Sequence, residues 1–453
     1  IVKGDNEGYT TLYNVEGFFM RAQYDYDSRY FLSASYRRDG SSRFAPGHRW
    51  GNFWSAGAAW IINREEWFPK TTWVNMLKVK LSYGEQGNDA IGNYRYTDTY
   101  NIRNSNDQVA YVFNSKGNPD ITWETVGSLN AGFEFELFNS RLRGGLEYYN
   151  RTTRDMLMYF SVPYINGYSG YYSNVGDMNN HGLEFNITGD ILASRNFGWT
   201  VDFNLTWQRN KVSRLPASSK TLQVDGVDGF ADGEFFVGEG RPMNTWYLKS
   251  YAGVSDRGEA MYWKTDAATG QRQATTSYSE ADYYLCGSAQ PDVFGGFGTS
   301  LRVYDFDLSV SCAYSIGGLM YDSGYQSLMT PSYSTYAIGN AWHKDVFKGW
   351  TAENPSATIP RWQYGDTYTA AFSDRFLTDA SYLTLSNVTV GYTLPKNLTQ
   401  KFYVSRLRVF FSGENLGYIT KRKGFDPRGS FTYGSYGAYS PMRNLTGGLQ
   451  IQF

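Results

Sequence analysis

Residues 199–208 alternate strictly, with Trp199, Val201, Phe203, Leu205 and Trp207 interleaved with Thr200, Asp202, Asn204, Thr206 and Gln208. Successive side chains of a strand point to opposite faces, so this segment predicts a β-strand with one apolar and one polar face. The same period recurs along the chain. Leu183, Phe185, Ile187 and Ile191 oppose Glu184, Asn186, Thr188 and Asp190; Leu129, Ala131, Phe133, Phe135 and Leu137 oppose Asn130, Glu134 and Glu136. Phe306, Leu308, Val310 and Cys312 oppose Asp305, Asp307, Ser309 and Ser311, and the last strand sets Leu445, Leu449, Ile451 and Phe453 against Thr446, Gln450 and Gln452.

Alternation by itself also fits a large water-soluble sandwich, whose apolar face points inward. Three further features point to a membrane: strands of roughly 9 to 11 residues, polar faces rich in Asn, Asp, Glu and Thr, and short links alternating with long ones. Short links are expected at residues 27–28, 139–140, 193–198, 238–242, 304–305 and 395–404. Outer-membrane barrels turn tightly on the periplasmic side and loop widely outside, so the last strand is expected to descend and leave Phe453 at the periplasmic rim. Counting back predicts about fifteen strands, among them a descending one from Leu222 and an ascending one from Met243. Closed bacterial barrels have an even number of strands. The expectation is therefore the C-terminal part of an all-β, antiparallel transmembrane barrel of about 22 strands, lacking roughly seven strands, with residues 1–16 in a surface loop. The whole chain, residues 1–453, reads as this one partial barrel domain. It opens on Ile1 without a signal peptide, which predicts either a product cut at a surface loop or a subunit paired with a separate N-terminal chain.

Composition narrows the alternatives. Among 453 residues, 41% hydrophobic, no stretch reaches the roughly 20 apolar residues of a spanning helix. Aromatics make up 18% of the chain, beside 48 Gly, which suits strands, tight turns and interfacial aromatic girdles. A formal net charge of −1 gives no global field for nucleic acid. The only cysteines, Cys286 and Cys312, make no disulfide framework, and their pairing is left open.

Several segments, taken in order, resemble SusC/RagA-like TonB-dependent outer-membrane transporters of the Bacteroidetes type. They are residues 30–44 (YFLSASYRRDGSSRF), 77–88 (LKVKLSYGEQGN), 118–130 (NPDITWETVGSLN), 287–308 (GSAQPDVFGGFGTSLRVYDFDL), 350–360 (WTAENPSATIP), 382–395 (YLTLSNVTVGYTLP), 407–416 (LRVFFSGENL) and 424–427 (GFDP), then the close at 440–453. Arg428 departs from the acidic residue often found after the GFDP proline. The resemblance implies active import of glycans or oligopeptides through a barrel with a plug, driven by TonB and closed by a SusD-like surface lipoprotein, with the plug and the TonB box both expected before Ile1 and so absent from this chain. It also implies an outer-membrane setting of membrane lipid and lipopolysaccharide, and no enzyme activity. A passive porin or structural barrel is the alternative, and an upstream plug separates the two.

The candidate chemistry is sparse. Glu134 with Glu136, or Asp305 with Asp307, have the look of paired carboxylates, but polar residues two apart are ordinary on a barrel's polar face. His48, His181 and His343 have no metal-ligand spacing. Residues 225–233 (DGVDGFADG) offer Asp225, Asp228 and Asp232 to a calcium ion, though not at EF-hand spacing, and a solvated loop is the plainer reading. Residues 159–172 (YFSVPYINGYSGYY) concentrate aromatic faces in an expected extracellular loop, so Tyr164, Tyr168, Tyr171 and Tyr172 are the expected ligand contacts, with docking of a lid protein as the plainer reading. Leu449, Ile451 and Phe453 are the expected outer-membrane insertion signal.

Overall fold

A computed structural model of the chain describes residues 10–105, 108–162, 164–331, 341–429 and 440–453. Thirteen strands form one antiparallel sheet, each hydrogen-bonded to its neighbours in chain order. They are β1 (Val15–Tyr26), β2 (Tyr30–Ser41), β3 (Trp50–Ile61), β4 (Val74–Asn88), β5 (Glu124–Leu137), β6 (Leu142–Arg154) and β7 (Asp177–Ala193). The remainder are β8 (Phe197–Arg214), β9 (Val293–Val303), β10 (Phe306–Ile316), β11 (Tyr382–Thr393), β12 (Arg406–Thr420) and β13 (Asn444–Gln452).

Strand lengths run from 9 residues in β13 to 18 in β8, longer than the alternation suggested. The excess arises because hydrogen-bonded ladders continue past the apolar band into the connections. The expected strands from Leu222 and Met243 are not part of this sheet. Those stretches belong to a separate five-stranded sheet of short strands, Leu222–Val224, Val227–Asp232, Phe235–Gly238, Thr245–Lys249 and Tyr283–Ser288, inside the connection from β8 to β9. The link at 238–242 is thus a turn within a loop, and the strand count falls from about fifteen to thirteen.

Short and long connections still alternate. In the turn from β1 to β2, Asp27 and Ser28 both adopt positive φ (52° and 50°), the left-handed pair that matches the twist of a tight hairpin. The Asp25 carboxylate steadies it by accepting from the Ser28 amide at 3.1 Å. Tyr304 (φ 54°) lies between β9 and β10 in the same conformation.

The outward apolar face is exposed: Phe18 60%, Leu32 53%, Leu81 53%, Val390 47% and Leu449 65%. A soluble sandwich would bury these side chains, whereas a membrane wall leaves them for lipid. Aromatic girdles bound this face. Tyr30 stacks with Trp60 at 6.3 Å and lies 6.4 Å from Tyr26 near the short turns, and Phe18 stacks with Trp50 at 6.2 Å near the other ends.

The chain divides into two compact units. The first, Ile1–Asn139 with Gly145–Gly182 and Asn210–Thr221, has a small core of Phe44, Phe53, Ile91, Ile121 and Trp123. The second holds the remainder. Its core of Trp246, Leu248, Ala289, Tyr321, Met329, Ala370 and Phe376 lies in the two long connections, residues 222–292 and 317–381, rather than in the wall.

Candidate functional site

On the polar face of β2–β4, small side chains leave a recess of about 760 Å³. Its floor is Ser33, Ser35, Ser55 and Ser82 with Gly57 and Gly84, placed side by side by the register (Ser35 opposite Ser55, Ser55 opposite Gly84). The Ser35 and Ser55 hydroxyls share a hydrogen bond at 2.6 Å. Charge at the rim is internally neutralised. Arg37 Nε donates to Asp39 at 2.7 Å, and Asp89 accepts from Tyr13 at 2.8 Å and Ser41 at 2.6 Å while Arg43 lies 3.4 Å away. What remains for a guest is hydroxyl and amide hydrogen bonding beside the Phe53 and Trp123 rings.

Elsewhere the polar face is laced by ion pairs between strands. Lys80 on β4 reaches over Gly132 of β5 to Glu147 of β6 at 2.6 Å, and it also holds Glu134 at 2.9 Å. A Cβ at position 132 would lie 2.6 Å from the Lys80 stem, so glycine is what opens this path. Arg408 on β12 reaches Asp307 on β10 across β11 in the same manner, at Gly391. Glu134 and Asp307 are therefore each ion-paired to a cation on another strand.

The described parts of the two long connections of the second unit share one core. Asp374 is half-buried and accepts from Ser250 Oγ and the Tyr251 amide, both at 2.7 Å. Burial pushes its carboxyl above the ordinary range despite those donors. Arg375 lies over the Tyr251 and Phe376 rings at 5.1 and 5.2 Å and donates to Thr369 O at 2.6 Å. Burial also pushes the Cys286 thiol up to about 12. Cys286 and Cys312 are both free thiols.

The expected ligand tyrosines are not one group. Leu157–Ser161 and Gly170–Asn174 form a hairpin in which Tyr172 faces Tyr159 and Tyr171 faces Phe160. Adjacent strand residues point to opposite faces. Tyr171 and Tyr168 lie 6.4 Å apart, and Tyr168 approaches Phe113 of the neighbouring hairpin at 6.2 Å. Tyr172 sits on the other side, edge-on to Tyr159 at 5.4 Å and beneath the Arg95 guanidinium at 4.9 Å, packed against the first unit's core. Tyr164 opens a single turn, Tyr164–Asn166, and its side chain lies outside the described residues.

Asp225 occupies a hairpin turn at φ 49°, Asp228 accepts from Gln223 at 2.9 Å, and Asp232 ends the next strand. Among the described residues, no three His, Cys, Asp or Glu side chains gather where they could hold a metal ion. His181 contacts Asn179 at 2.9 Å and His343 caps a short turn by accepting from the Asp345 amide. Leu449 and Ile451 share the outward apolar face, paired with Val409 and Leu407, and Phe453 is 88% exposed. Sequence reasoning missed the serine recess and the glycine-straddling ion pairs. The signal for the latter was a glycine at a polar-face position of a strand flanked by strands of opposite charge.

Comparison with known proteins fits this geometry. Residues 3–416 match the family described as TonB dependent receptor-like, beta-barrel. TonB-dependent receptor P3 of Formosa agariphila is 27% identical over 96% of this chain and 45% of its own length. TonB-dependent receptor SusC of Bacteroides thetaiotaomicron is 26% identical over 93% and 42%. The structure of the RagAB peptide transporter superposes with a TM-score of 0.85 at 27% identity, covering 97% of this chain and 48% of that one. The chain spans about half the length of the curated relatives it matches. A two-faced antiparallel wall, aromatic girdles and these relatives agree: the chain belongs to the TonB-dependent receptor-like β-barrel family, as a SusC/RagA-like barrel of the outer membrane.

Proposed function

We propose that this barrel forms part of the wall and mouth of a TonB-driven importer of oligomeric nutrients, glycans or oligopeptides, working with a plug from the N-terminal portion of the same transporter and a SusD-like lipoprotein as lid. The observation that carries the reading is the thirteen-stranded wall with one lipid-ready face and one polar face recessed at Ser33, Ser35, Ser55 and Ser82. Long, internally packed connections at one end supply a surface broad enough for a lid. The peptide arm is supported by the likeness to a peptide transporter, and the glycan arm by aromatic side chains at the loop surface. The wall does no chemistry in this reading, in which Glu134 and Asp307 serve as partners of Lys80 and Arg408.

The test is growth and uptake on candidate oligosaccharides and oligopeptides by cells carrying the full-length transporter with and without its TonB box. Loss of uptake with the box deleted is expected. Uptake that persists without it would make the barrel a passive pore.

A further inference from the structure

The apolar face of β1–β4 is not uniformly bulky. Ala22, Ala34 and Ala56 are direct partners in one row across three strands, and Ala58 lies beside them in the next row. Tyr36 and Trp54 wall this floor on one side, Tyr24, Leu32 and Leu81 wall it on the other, and Tyr83 closes the row beside Ala56. The result is an apolar trough of about 550 Å³, within the range of sites that hold small ligands. It lies between the two girdles, the Tyr26, Tyr30 and Trp60 group below and the Phe18 and Trp50 stack above, where the surroundings are hydrocarbon. On β8 the outward positions are Trp199, Val201, Phe203, Leu205 and Trp207, which supply no such small-residue floor.

A second observation lies above the trough. Arg38 follows Ala34 by four residues on the same face of β2, about 13 Å along the strand. Its side chain is exposed, lies 5.1 Å over the Trp50 ring, and has no carboxylate within ion-pair distance among the described residues. A cation at the interface attracts an anionic headgroup.

We propose that the trough holds one acyl chain of an anionic lipid whose phosphate lies against Arg38. A channel one side-chain row wide accepts an unbranched chain, whereas a packed helix is about 10 Å across and would ride on the Trp54 and Leu32 walls. The bound chain converts the recess in the wall into a filled surface, and the cation fixes which lipid supplies it. This inference needs only the membrane setting and is independent of what the barrel imports.

The test is native mass spectrometry of the full-length transporter, stripped of lipid in detergent and then titrated with lipid A or fully dephosphorylated lipid A, the anionic lipid of the leaflet on Arg38's side and its neutral control. Wild type is expected to keep one lipid A through a second delipidation. Ala34→Leu, which fills the floor from the lipid side, and Arg38→Gln, which leaves the trough intact, should each lower the retained fraction at least tenfold, to the level seen with dephosphorylated lipid A. Retention unchanged in either variant, equal retention of the two lipids, or a second copy of the barrel found seated on this face would overturn it. Heat-modifiable gel mobility confirms that each variant is a folded barrel.

Discussion

Arg408 and Asp307 form an ion pair across an intervening strand, with Arg408 Nε donating to Asp307 Oδ1 at 2.9 Å above Gly391. Removing the arginine leaves a half-buried carboxylate without its charge partner, at a cost of about 1–2 kcal/mol. Arg408→Ala should lower the urea midpoint of the folded barrel in detergent. Gly391→Val, which keeps both charges but blocks the path between them, should lower it by a similar amount. A neutral Gly391→Val would show that the guanidinium has another route to Asp307.

The turn from β1 to β2 is held by two non-glycine residues in the left-handed region. Each costs roughly 1 kcal/mol relative to glycine. Ser28→Gly is therefore expected to stabilise the hairpin by about that amount, read as slower unfolding in detergent. An unchanged rate would mean that the Asp25 bond to the Ser28 amide already offsets the strain.

Asp374 gives the loop body a pH response of known sign. Its folded-state pKa is raised by burial, so between the ordinary aspartate value near 3.9 and the raised value the folded form binds the extra proton. Its contribution to stability falls as pH rises through that window and recovers on acidification. Protection of the Tyr251 amide, normalised to intrinsic exchange, should grow in wild type relative to Asp374→Asn as pH is lowered from neutral toward the ordinary aspartate range. A gap that stays constant would remove Asp374 as the cause.

If Tyr168 contacts ligand and Tyr172 serves packing, their variants should differ. Tyr172→Ala should loosen the 155–176 connection by about 1–2 kcal/mol, since it removes a half-buried ring from under Arg95. Limited proteolysis reads this directly. Tyr168→Ala should leave proteolysis unchanged and weaken binding of the imported oligomer in calorimetry. The opposite pattern would exchange their roles.

Phe453 follows the last strand directly and is 88% exposed. If Leu449, Ile451 and Phe453 form the insertion signal, Phe453→Ser should cut the outer-membrane level of the full-length transporter several-fold while its message level stays constant. Equal membrane levels would place the signal elsewhere.

The wall was legible because period-two alternation is a direct consequence of strand geometry, and β5, β7, β8, β10 and β13 all display it. The same rule misled at Leu222 and Met243. Short strands inside a loop alternate too, and only their three to six residues distinguish them from wall strands. The loop core was not legible, because Trp246 and Tyr321 lie far apart in sequence and neither sits in a long periodic segment. The four tyrosines were adjacent in sequence, but strand geometry sent Tyr171 and Tyr172 to opposite sides.

Trp246 and Tyr321 pack within 6.2 Å, each from a different long connection, and the Trp246 indole donates to Leu319 O at 2.8 Å. The smaller cluster of Ala260, Tyr262 and Ala281 lies within the first connection, but the larger core is shared between the two. An exchange of surface loops between related barrels must therefore carry both connections together, because either one grafted alone would leave aromatic side chains of the shared core in water.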